Sequence, residues 1–109
     1  MDWLHDGSYV FGGAFLTNAI PHFVSGLMGR PFQSPFAKPP GQGFSSSTVN
    51  VLWGGLNLAI GYGLIFQVGG FDPRSIEHAA AAGLGALLIG FLSARHFGRF
   101  NGGNAPGDP

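Results

Sequence analysis

The side chains able to do chemistry in this chain are four histidines and a few amides set in long apolar runs. His22 and Asn18 stand on the run SYVFGGAFLTNAIPHFVSGLMG, and Asn57 stands on the run STVNVLWGGLNLAIGYGLIFQVGG; neither run contains Asp, Glu, Lys or Arg. In such a setting His22 is a candidate titrating group, metal ligand or cofactor ligand, because an ionisable residue at membrane depth is a site hypothesis by default. Counting the helical rise from Gly29 puts His22 roughly 10 Å deep and Asn18 roughly 17 Å. Counting from Ser47 puts Asn50 roughly 5 Å deep and Asn57 roughly 15 Å. Asn18, His22 and Asn57 are therefore expected to share a layer. The plainer reading of that layer is interhelical glue, worth about 0.6 kcal/mol per contact on average.

The other histidines give less. His78 belongs near the opposite edge of the bundle from His22, so the two cannot hold one metal ion. His5 with His78 and Glu77 is a weak metal-site alternative, without recognisable ligand spacing. His96 stands beside Arg95 and Arg99, a setting that suits lipid headgroups better than catalysis. No cofactor is specified and no metal site is expected. There is no acid inside an apolar run, no serine in a nucleophile elbow and no phosphate loop around Gly54-Gly55 or Gly41-Gln42-Gly43. The chain has no Cys, which removes disulfides, thiolate catalysis and Cys-ligated metals. An enzyme is therefore not expected.

The elements that must position these residues follow from composition. Of 109 residues 45% are hydrophobic and only 9% charged, with 20 Gly and 8 Pro, whereas an ordinary soluble domain is about 25% charged. Formal net charge is zero, so nucleic acid is not an expected partner. The expected fold is all-α: a single membrane domain over residues 1–100 with three transmembrane helices at about 8–29, 47–70 and 76–97, and a flexible tail over 101–109. Pro21 is expected to kink the first helix. Trp3, Tyr9 and Phe11 suit an interfacial aromatic belt.

The stretch 47–70 is the expected organising element. Asn50, Trp53, Asn57 and Gly61 fall on one helical stripe, read as a wet or partner-facing seam. Ser45 to Thr48 offer N-caps for this helix, and Asp72-Pro73 reads as the cap and first turn of the next. Ala82, Ala86, Gly90 and Ala94 repeat every four residues, the small-residue pattern of closely approaching membrane helices; Gly55, Ala59 and Gly63 form a similar row. The connection RPFQSPFAKPPGQGFSS is too rich in Pro and Gly for a helix and reads as an extended, partly polyproline-like strip. Its Phe rings suit either the headgroup layer or a lid or docking segment.

Charge sets the orientation. Arg30, Lys38, Arg95 and Arg99 share one side of a three-span chain and Arg74 stands on the other, which puts the Pro-rich loop and the C-terminus in the cytoplasm and the N-terminus outside.

The segments PHFVSGLMGRPFQSPF and PPGQGFSS followed by NVLWG, within Asn18 to Leu58, resemble a small family of uncharacterised bacterial integral membrane proteins. The resemblance implies a bacterial inner-membrane setting and a Pro-rich loop of fixed structure. It transfers no catalytic or binding residue.

The expected function is a non-enzymatic accessory or structural subunit of a membrane assembly, either a homo-oligomer or part of a larger complex. Its partners are the lipid bilayer and other membrane subunits or itself. Asn50, Trp53, Asn57, Gly61, Ala82, Ala86 and Gly90 are the expected helix-packing residues. The alternative is a small-molecule, lipid or cofactor binder, or a channel-like oligomer, built on His22, Asn18 and Asn57.

Overall fold

Three side chains start the three helices. Asp2 accepts from the His5 N–H at 3.3 Å, Ser46 from Val49 at 3.2 Å and Ser75 from His78 at 3.2 Å, each satisfying a donor that the first turn leaves unpaired. In the computed structural model, which describes residues 2–104, the helices are α1 Trp3–Leu27, α2 Ser47–Tyr62 and α3 Ile76–Asn101. A π-helical segment, Gly63–Val68, extends α2. The fold is mostly helical. Two of its helical stretches, Ser47–Val68 with 22 residues and Ile76–Asn101 with 26, are long and apolar enough to cross a membrane.

The organising element is α1. It packs along α2 and the π-helical segment on one side and along α3 on the other, while α2 and α3 scarcely touch each other. The expectation that 47–70 forms the hub is thus corrected. Glycine explains the change: α1 meets its neighbours through backbones. A Cβ at Gly26 would lie 2.6 Å from the Ser47 carbonyl oxygen, one at Gly54 would lie 2.7 Å from the Phe23 backbone nitrogen, and one at Gly61 would lie 2.6 Å from Leu16. On the other side, a Cβ at Gly13 would fall on the Ala82 carbonyl oxygen and one at Gly85 on that of Val10.

Several local expectations change. Helix α1 begins at Trp3, is continuous through Pro21 and ends at Leu27. Tyr9 is not part of an aromatic belt: it is 1% exposed and donates its hydroxyl hydrogen to the Gly69 carbonyl. Asp72 does not cap α3. Its Oδ1 closes a turn on the Arg74 N–H at 2.9 Å, and Ser75 takes the cap. Helix α3 runs on to Asn101, where Gly102 ends it at φ +78°, a left-handed conformation that glycine adopts without steric cost. Of the 101–109 tail, residues 105–109 lie outside the described residues.

The Pro-rich connection is not an extended strip. Strands β1 Phe32–Gln33 and β2 Phe44–Ser45 pair antiparallel, with Phe32 opposite Ser45 and Gln33 opposite Phe44. The loop between them folds back on Ser34, whose carbonyl accepts from Gly41 N–H at 2.8 Å and Ala37 N–H at 3.2 Å. The Ser34 and Ser45 hydroxyls meet at 2.5 Å. These internal bonds satisfy backbone groups that a stretched loop would leave to solvent.

Candidate functional site

The polar seam lies between α1 and α2. Asn50, Asn57 and Gly61 are buried against α1, at one-turn spacings that also include Gly54. The expected stripe is therefore inside the chain, and these side chains are not an outer contact face. Trp53 lies at the stripe's edge, half-buried.

The seam has two rungs. In the first, Asn18 Nδ2 donates to Asn57 Oδ1 at 3.1 Å, and Asn57 Nδ2 donates to the Trp53 carbonyl at 2.8 Å. In the second, His22 Nδ1 lies 2.9 Å from Asn50 Oδ1. Asn50 Nδ2 is shared among three carbonyls, Phe32 at 3.1 Å, Ser45 at 3.2 Å and Ser46 at 3.1 Å. An amide whose nitrogen donates presents its oxygen as the acceptor, so His22 carries its proton on Nδ1 in this network. The single expected layer of Asn18, His22 and Asn57 is thus replaced by two rungs, with His22 paired to Asn50. Antiparallel packing sets α2 against α1 so that Asn57 meets Asn18, and Asn50, two turns away on α2, then comes within reach of His22, one turn further on in α1.

Around His22 stands an aromatic box. The rings of Phe32, Phe97 and Trp53 lie edge-on at 5.4, 5.9 and 6.4 Å between centroids. These rings come from β1, α3 and α2, so the imidazole is the point where the loop and all three helices meet. Sequence reasoning left Phe32 and Phe97 out of the site; their spacing gave no signal, because the folded loop and the far end of α3 bring them in. Trp53 also carries Phe36 against its ring at 5.2 Å, and its indole N–H is buried without a partner among the described residues.

A second end of the bundle is closed by Tyr9, Phe71 and His78. The Tyr9 ring lies 4.4 Å from His78 and 5.5 Å from Phe71, and His78 Nδ1 accepts from the Asp72 N–H at 3.0 Å. His5 is paired with Asp2 at 2.7 Å. Among the described residues no three His, Asp or Glu side chains gather at metal-binding distance, so the His5–His78–Glu77 alternative is not assembled.

Comparison with protein-family models, with curated proteins and with solved structures finds no match to this chain.

The small residues of α3 divide by environment. Ala82 meets Gly13 of α1, whereas a Cβ at Gly90 would touch only Thr17 Cγ2, at 4.0 Å; Ala86 is half-buried, and the buried member of α3 is Gly85. On α2 and its π-helical extension, Gly55 and Gly63 have no described atom within 4 Å of an added Cβ, and Ala59 is exposed. Between α2 and α3 a cleft of about 220 Å³ opens over Ala14, Phe15, Asn18, Asn57 and Ile89.

Proposed function

We propose that this chain is a three-span integral membrane protein that serves as a non-enzymatic subunit of a membrane assembly, built from copies of itself or from other subunits. One observation carries the reading: the usual distribution of polarity is reversed. The largest fully buried side chains are Tyr9, Gln33, Asn50, Asn57 and Ser34, while Leu52, Leu84, Leu87, Phe91 and Leu92 are among the large apolar residues left exposed. Helix α3 adds weight, since only 6% of its most apolar stretch is buried. Monomeric soluble proteins rarely expose apolar patches of more than a few hundred Å². In lipid the same surface is solvated, and amides turn inward because hydrocarbon cannot bond them.

Helix α1 is the third span in this reading, with Asp6 in its first turn at the water boundary. The positive-inside count puts the Pro-rich loop and the C-terminus in the cytoplasm. Two contacts support one side for both: His96 Nε2 reaches the Gly41 carbonyl at 2.7 Å, and Asn101 Nδ2 reaches Gln33 Oε1 at 3.3 Å. A bacterial inner membrane is the setting that fits the sequence resemblance. The row Gly55, Ala59 and Gly63 offers the assembly face, because no described residue lies within 4 Å of a Cβ added at Gly55 or Gly63 and bare backbone permits close approach of another helix.

The test is the mass of the purified protein in mild detergent, by light scattering. A defined oligomer or a stoichiometric complex is expected, and Gly55→Leu should dissociate it without loss of helicity. A clean monomer that is indifferent to Gly55→Leu overturns the proposal. Topology is read from single cysteines in this Cys-free chain: Gln42→Cys should label only from the cytoplasm and Arg74→Cys only from outside.

A second reading, a small-molecule or lipid binder, is favoured by the cleft over Asn18 and Asn57. A ligand that co-purifies with the wild type and is lost in Asn18→Leu would raise it above the first.

A further inference from the structure

At the far end of α3 lies a depression of about 320 Å³ lined by Leu92, Arg95, His96, Arg99 and Asn104. The polar seam makes no use of Arg95, Arg99 or Asn104. Arg95 and Arg99 are one helical turn apart and so emerge on one face. Positive charge there complements the helix dipole, but the surroundings do more than that. His96 donates from Nε2 to the Gly41 carbonyl at 2.7 Å, which leaves Nδ1 as an acceptor for Arg99 Nη2 at 3.0 Å. The Phe100 ring lies 5.6 Å from the Arg99 guanidinium carbon. Arg99 is therefore held by two neighbours while a guanidinium's remaining N–H groups stay available. Asn104 Nδ2 closes on the Arg95 carbonyl at 3.1 Å.

Charge and polarity select the occupant. Among the described residues neither arginine has a carboxylate partner. Two cations one turn apart, Arg99 held by its neighbours and neither facing an acid among the described residues, suit a phosphate, which arginine matches in geometry as well as in charge. Leu92 lines the depression, and Leu88, Phe91 and Leu92 are exposed on the α3 surface that leads from it. A phosphate with acyl chains attached fits both halves of this surface; a free phosphate uses only one.

We propose that Arg95 and Arg99 bind the headgroup phosphate of an anionic phospholipid, with its acyl chains lying along Leu88, Phe91 and Leu92. The proposal rests on α3 being a membrane span, which is tested separately: carbonate extraction that washes the protein from membranes defeats the span, whatever the lipid result.

The lipid test is native mass spectrometry of the full chain in mild detergent, titrated with phosphatidylglycerol or phosphatidylcholine of equal chain length. Phosphatidylglycerol should be retained preferentially. Each of Arg95→Gln and Arg99→Gln should weaken its binding about fivefold, from roughly 1 kcal/mol per basic residue at an anionic surface. Arg74→Gln, at the other end, should leave it unchanged. Arg95→Gln leaves the His96–Arg99 and His96–Gly41 contacts in place, and its melting curve checks that it folds. Equal retention of the two lipids, or undiminished phosphatidylglycerol binding in the double variant, overturns the proposal. Displacement of the lipid by millimolar inorganic phosphate also overturns it, in favour of a free anion.

Discussion

His22 and Asn50 share one hydrogen bond, Nδ1 to Oδ1 at 2.9 Å, and through it α1 is tied to the first turn of α2. Asn50 completes the tie by holding the carbonyls of Phe32, Ser45 and Ser46. One amide thus serves a helix contact, a strand pair and a helix start together. It is fully buried, and its removal takes a hydrogen bond from His22 and from the Phe32 and Ser45 carbonyls, while the Ser46 carbonyl keeps the Asn50 backbone N–H at 3.0 Å.

Asn50→Leu is accordingly the most costly single change in the seam. It leaves the buried His22 imidazole N–H without its acceptor and takes a donor from the Phe32 and Ser45 carbonyls, and a buried unsatisfied group costs about 1–3 kcal/mol. A loss of about 2–3 kcal/mol is expected. Asn18→Leu removes one interhelical bond and should cost about 0.6 kcal/mol, at most about 1.7. Unfolding titrations in mixed detergent micelles measure both, and the ranking fails if Asn18→Leu proves the worse.

The contrast between these two asparagines shows what the sequence can and cannot convey. Helical spacing alone places Asn50, Asn57 and Gly61 on one stripe, and Ser46 lies within the capping cluster that the serines announce. The vertical offset between two antiparallel helices has no local signature. It is set by where glycine lets the backbones meet, and Gly26, Gly54 and Gly61 set it through tertiary contact. The same gap hid the hub. Helix α1 carries no pattern stronger than its neighbours, yet Gly12, Gly13 and Gly26 make it the helix that both others approach. The loop strands were hidden because two-residue pairs leave no periodicity to detect.

Tyr9→Phe isolates the second closure of the bundle. The ring stays between Phe71 and His78 while the hydroxyl donor to Gly69 is lost. A buried hydrogen bond contributes about 1 kcal/mol net, and the orphaned carbonyl adds to the loss. Faster amide exchange confined to the π-helical segment and residues 69–71 is the expected sign. Unchanged exchange there would show that packing alone holds this end.

Trp53→Phe should behave in the opposite way. The indole N–H is buried with no acceptor among the described residues, and an unsatisfied buried donor costs about 1–3 kcal/mol. Phenylalanine keeps an aromatic ring against Phe36 and His22 and removes the donor. A melting temperature equal to or above that of the wild type is expected. A clear fall shows instead that the lost packing of the larger indole ring outweighs the removal of the unpaired donor.

Glycine substitutions on α3 and α2 separate contacts within the chain from contacts between chains. A Cβ at Gly85 would fall on the Val10 carbonyl oxygen and also lie 3.1 Å from the Ala14 nitrogen. A backbone carbonyl in a helix cannot move aside as a side-chain tip can, so Gly85→Ala must push α3 away from α1. Overpacking of a close contact costs about 1–3 kcal/mol, and α3 has no second helix to fall back on, since it scarcely touches α2. Gly55→Ala meets open space and gains about 1 kcal/mol of helix propensity. The isolated chain in detergent should therefore be destabilised by Gly85→Ala and unharmed by Gly55→Ala. In native membranes the order should change: Gly55→Leu should reduce assembly while the protein stays folded. If Gly85→Ala is harmless, the α1–α3 contact is looser than described; if Gly55→Leu unfolds the isolated chain, the Gly55 face is not open.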